Sequence, residues 1–170
     1  MNWKAKLEIL MRLFERRPEL EMYFSVAPAA PVQFLERLRA EYPFLPNSYL
    51  ELLGISDGIQ LHWFVIGGSG ESEFPSLEAL TKRWQPRIGD RRVLPIGHDA
   101  SGDAFVLTES GIELIPQPQY GEAIVLTMDF DELIGEYFLG TKYPLMFDGE
   151  PAVDDPWWAL IRELGWATVK

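Results

Sequence analysis

The chain has 170 residues, 47% of them hydrophobic, with six Trp and ten Phe; that is one ordinary domain able to fold without metal or disulfide. It contains no Cys, which excludes disulfide scaffolds, thiol nucleophiles and thiolate zinc sites and suits a reducing cytoplasm. The net charge of −11 is uneven, because residues 1–92 balance 12 Lys/Arg with 12 Asp/Glu, whereas residues 93–170 set only Lys142, Arg162 and Lys170 against 14 acids.

In chain order, Trp3, Leu7, Leu10, Met11 and Phe14 recur at the spacing of one helical face, and Pro18 limits that helix. Residues 25–31 read as a Pro/Ala connector, so a boundary is expected there: an N-terminal helical extension over 1–27 and the main domain over 28–170. Pro31 opens a second helix with Phe34, Leu35 and Leu38 on its apolar face. A third follows Pro46, with Tyr49, Leu52 and Leu53 on one face and Asp57-Gly58 as its exit. Residues 61–66 read as a strand ending in the flexible turn Gly67-Gly68-Ser69-Gly70. Ser76 then caps a short helix to Trp84.

From residue 93 the pattern changes to strands over 93–97, 104–108, 112–115 and 123–128, separated by Gly/Asp/Pro turns as in an antiparallel meander. Asp129 or Asp131 caps a helix through Leu133, Ile134, Tyr137 and Phe138. A Gly/Pro-rich connector (140–151) precedes a last helix opened by Pro156, with Trp157, Leu160, Ile161 and Leu164 in one stripe. The fold class is α+β, a small antiparallel sheet flanked by helices.

No apolar run reaches the ~18–20 residues of a membrane span. Lys4, Lys6 and Glu8 interrupt any secretory core, so a cytoplasmic protein with no membrane partner is expected. The acidic C-terminal half argues against nucleic-acid binding and would draw in a basic partner.

Catalytic constellations are weak. His98, Asp99 and Ser101 crowd one tight turn, which suits chain reversal better than a hydrolytic triad. Asp99, Ser101 and Asp103 imitate the start of a calcium loop, but Gly102 is misplaced and Ser110 stands where the closing Glu belongs. His62 has one other His in the whole chain, too few for a His-rich metal centre. The Gly67–Gly70 run lacks the Lys of a phosphate loop and reads as a mobile hairpin loop. Trp157 and Trp158, at i and i+1, cannot both face the core, and the one left out is expected on the surface or against the preceding connector.

Two segments carry the most specific pattern. Leu45, Pro46, Tyr49, Leu52, Leu53 and Gly58 form one block. Leu94, Pro95, Ile96, Gly97, Gly102 and Asp103 form another, and a strand running into an aromatic helix over 124–137 makes a third. In this order, across roughly residues 31–139, they resemble the SUKH superfamily, which includes a yeast regulator of cell-wall assembly and killer-toxin resistance. Asp57 stands where that family usually has Asn, and both termini lie outside the pattern. The resemblance implies a SUKH-like fold, no shared catalytic residues, no cofactor and no metal. It also implies a protein-binding role, in bacteria commonly as an immunity protein against a nuclease or deaminase toxin.

The expected function is therefore non-enzymatic neutralisation of a basic toxin domain, with an intracellular scaffold or regulatory module as the alternative. Asp99, Asp103, Glu109, Glu113 and Glu122, on or near strand turns, are the candidate acidic contacts, and Trp158 a candidate anchor. An enzyme working at the Gly/Asp turn stands as a third reading.

Overall fold

A computed structural model describes residues 1–118, 121–147, 151 and 154–167. The chain divides into two units, residues 24–130 and residues 1–23 with 131–170. The N-terminal helix thus shares its unit with the C-terminal helices. The expected break after residue 27 moves to 23/24, because Phe24–Val26 is a strand, β1, where a Pro/Ala connector was read.

The first unit holds a seven-stranded antiparallel sheet in simple order. Its strands are β1, β2 (Ile59–Leu61), β3 (Phe64–Ile66), β4 (Leu94–His98), β5 (Ala104–Thr108), β6 (Gly111–Ile115) and β7 (Ile124–Thr127). The single strand expected over 61–66 is instead a hairpin whose two-residue turn, His62-Trp63, pairs Leu61 with Phe64. Ala104 to Leu107 are all buried, as a strand covered on both faces requires. On one face Ala104, Val106 and Ile115 cluster with Trp84 and Ile88.

That second pair comes from α4 (Leu77–Ile88), which Ser76 caps as expected by accepting from Ala79 N. The helix runs four residues past Trp84 despite Pro86 inside it. Between β1 and β2 lie α2 (Val32–Glu41) and α3 (Asn47–Ile55). Tyr49 and Phe130 meet edge to face at 5.3 Å.

Residues of the first two motif blocks build this frame. Leu45, Tyr49, Leu52, Leu53, Leu94 and Ile96 are buried. Pro95 sits where the β4–β5 register slips, with Ile96 as the extra residue of a bulge, the place a central sheet tolerates a proline. A Cβ on Gly97 would come within 2.0 Å of the Val65 carbonyl oxygen, so only glycine lets β3 and β4 approach.

The Gly67–Gly70 segment is tied down rather than open. Asp57, buried beyond the end of α3, accepts from Ser69 N at 2.6 Å and from its hydroxyl. Gly68 N donates to Pro75 O at 3.0 Å. A buried carboxylate is tolerated because these donors replace its water.

In the other unit α1 (Trp3–Phe14) presents Trp3, Lys6, Leu7 and Leu10 to the interior. After the short α5 (Phe130–Glu132) the chain widens into a π-helix over Leu133–Phe138. Lys6 Nζ donates to Gly135 O at 2.6 Å and Leu139 O at 2.8 Å, closing carbonyls that the π-helix leaves open. Burial holds the Lys6 ammonium below its ordinary pKa, against the pull of Glu136. Asp131 accepts from Trp3 Nε1 at 2.7 Å. Asp155 caps α6 (Pro156–Glu163) and accepts from Tyr143 at 2.9 Å. No helix among the described residues is long and apolar enough to cross a membrane.

Candidate protein-binding end of the sheet

The register sorts the connections of the sheet into two classes. Val65 opposes His98, Ala104 opposes Ile115 and Leu114 opposes Ile124. The His62-Trp63 turn, the 99–103 turn and the 116–123 connection therefore share one end of the sheet. The helix-bearing connections 27–58 and 67–93 leave from the opposite end, with the tight 109–110 turn. Of the connections between strands, those at the first end carry no helix among the described residues, whereas two of the three at the opposite end do.

Two of those turns are welded together. Asp99 Oδ1 accepts from Asp103 N at 2.9 Å, and Asp103 Oδ1 accepts from Gln117 N at 3.0 Å. The Gln117 amide reaches back to Ser101 O. Gly102, with φ +81°, lies so close that a Cβ would meet Gln117 Nε2 at 2.9 Å. Arg87 of α4 anchors the same connection through Gly121 O at 2.8 Å. Burial holds the Asp99 carboxyl above its ordinary pKa; amide donors, Asp103 N foremost, oppose the shift and the Asp103 charge adds to it. His98 Nδ1 donates to Asp99 O at 2.9 Å, so this histidine too is part of the turn.

Only part of the expected acidic set comes together. Asp99 and Asp103 share this end but are half-buried and shape the turn. Glu122 is exposed at the same end. Glu109 is exposed at the opposite end, on the β5–β6 turn. Glu113 lies within β6 and binds Arg91 at 2.6 Å, with its second oxygen buried. Trp158 belongs to the helical unit, where it stacks on Tyr143 of the preceding connector at 5.7 Å and 13°. Its neighbour Trp157 is buried, its indole donating to Phe138 O at 3.0 Å. No group of three or more metal-ligating side chains is assembled among the described residues.

Trp63 is a large aromatic on the β2–β3 turn at this end, with no turn-forming residue beside it to mark it in the sequence. It is 49% exposed, and its ring lies 4.4 Å from that of buried His62. His62 carries φ +57°, the only positive φ outside glycine among the described residues. Such a conformation costs a non-glycine residue roughly 1–2 kcal/mol, and here it turns the chain so that Trp63 faces outward. No local signal in the sequence marks this turn, because the run from Leu61 to Ile66 has the length and composition of one ordinary strand.

A groove of about 470 Å³ also opens between α2 and α4, where Arg37 and Lys82 stand beside Glu41 and Glu78. Its charges balance, and no buried polar side chain points into it to single out a ligand. No family model matches the chain, and no curated protein or solved structure matches it.

Proposed function

We propose that this chain is a non-enzymatic, SUKH-type protein-binding domain, and within that class an immunity protein that neutralises a bacterial toxin by covering it. The observation that carries the reading is the end of the sheet whose strand connections carry no helix among the described residues. There a half-exposed Trp63 stands in the same row of turns as Asp99, Asp103 and Glu122. An aromatic anchor with a charged surround is the chemistry of a protein interface. The acidic C-terminal half suits a basic partner such as a nuclease or deaminase domain, and would speed its capture. Both motif blocks serve the frame rather than the surface, as the resemblance requires of them.

Because Asp99 and Asp103 hold the turn, charge reversal there would damage the scaffold along with any contact. Glu122 is the cleaner probe of electrostatic steering. The direct test is co-expression with the products of the genes that neighbour this one in its native genome, first any that is toxic when expressed alone. Restored growth and a stoichiometric complex on gel filtration are expected. Unrelieved toxicity together with no complex would sink the immunity reading, while a complex without protection would favour the intracellular scaffold.

A further inference from the structure

A slot of about 190 Å³ opens at the end of the sheet away from Trp63, lined by the α2–α3 connection and the β5–β6 turn. Its apolar base is Leu107, Ile112 and Phe130, all buried. Phe44 and Pro46 line it from the connection, and exposed Met128 from beyond β7. These walls are preset. Pro43 and Pro46 fix the backbone on either side of Phe44, whose ring meets that of Tyr42 edge-on at 6.0 Å. In the turn, Thr108 Oγ1 accepts from Ser110 N at 3.1 Å and donates to Gly111 O at 3.0 Å. Gly111, with φ +133°, lets Met128 close on that turn. A Cβ there would lie 2.6 Å from Thr127 O and 3.3 Å from the Met128 sulfur.

Ligand pockets usually begin at about 300 Å³, so the slot suits a single side chain rather than a cofactor. The charges along it choose which. Glu109, exposed on the turn, and Asp129 both line it, and no Lys or Arg among the described residues does. An apolar base with carboxylates beside it matches a side chain that has an apolar stem and a cationic head. An acidic or neutral polar side chain would lose water there without gaining a counter-charge. A second copy is a poor source of the cation, because the chain carries a charge of −11 and like-charged molecules repel. We propose that this slot receives one Lys or Arg side chain of another protein. Its stem lies on Phe44, Pro46 and Met128, and its head meets Glu109. The inference requires no toxin and involves neither Trp63 nor the 99–103 turn, so it can fail while the immunity reading stands, and the reverse.

The test titrates capped glycine pentapeptides with a central Lys, Arg, norleucine or Glu into the isotope-labelled protein and follows its backbone amide signals. The Lys and Arg peptides should shift the signals of Phe44, Leu45 and residues 107–112 and 128–130, with dissociation constants of about a millimolar. Norleucine has the stem without the head and should bind about fivefold more weakly, the upper range for one exposed charge pair. The Lys peptide should lose the same factor on Glu109→Gln, and the Glu peptide should not bind. Met128→Lys sets a competing cation beside the slot and should abolish the shifts. Both substitutions fall on exposed residues, and a thermal melt verifies that each variant folds. No shift with Lys or Arg, shifts centred on another surface, equal binding of the norleucine and Lys peptides, or Lys binding untouched by both variants would each overturn the proposal.

Discussion

The two turns flanking the β3–β4 pair reverse the chain by different means and leave different things exposed. The 99–103 turn is made of the residues that bend chains, and their side chains are consumed in doing so: Asp99 holds the Asp103 amide and Asp103 holds the Gln117 amide. The 62–63 turn has no Gly, Asn or Asp. Its reversal falls on His62 at φ +57°, and Trp63 is left half in solvent. A turn with good turn chemistry spends its polar groups internally. A turn without it bears a strained backbone, which persists only where surroundings hold it in place, and such strain gathers at functional sites. The comparison teaches that polarity at a turn is a poor guide to its availability.

The sharpest way to break this contrast is Trp63→Ala. With half the side chain already in water, melting should change little. Affinity for the partner should fall by about 2 kcal/mol, the effect of losing an aromatic anchor. Calorimetric titration against whichever partner the co-expression test identifies reads it, and an unchanged affinity would remove this end of the sheet from the interface. Asp103→Ala should behave in the opposite way. Losing the acceptor for Gln117 N should cost about 1–2 kcal/mol of stability, seen in denaturant unfolding, with faster hydrogen exchange at Gln117. If Asp103→Ala instead left stability intact and slowed association, the acidic turn would be a contact surface after all.

The same contrast explains which parts of the fold were legible in the sequence. Helices with a cap and a stripe could be read directly: Ser76 caps α4, Asp155 with Pro156 opens α6, and Tyr49, Leu52 and Leu53 share the buried face of α3. The strands from 94 onward were marked by Gly/Asp punctuation. Two elements were hidden for one physical reason, the absence of a local signal. Phe24–Val26 becomes a strand only because β2 is there to pair with it. The break at His62-Trp63 is imposed by pairing on both sides against the preferences of its own residues. The π-helix over Leu133–Phe138 was likewise unreadable, since Lys6, which closes its carbonyls, lies more than 120 residues away. Of the acidic candidates, Glu122 and Glu109 are exposed, while Glu113 is taken by Arg91, a partner that strand alternation alone does not reveal.

The smallest effect tests the cost of the good turn itself. Burial makes the folded state hold the Asp99 proton more tightly than the unfolded chain does. The folded protein then binds more protons than the unfolded chain as pH rises above the ordinary carboxylate value, and it loses stability through that window. Asp99→Asn keeps an oxygen for the Asp103 amide and has nothing to ionise. Below the carboxylate range the melting temperatures of the two proteins should differ by a constant amount. As pH climbs through and above that range, the difference should move in favour of Asp99→Asn and then level off. A difference independent of pH would mean that the Asp99 carboxylate is solvated well enough to ionise freely, and so available to a partner. A difference moving the other way would mean that the amide donors from Asp103, Ser101 and Gly102 outweigh burial, making the ionised form the one the turn is built to hold.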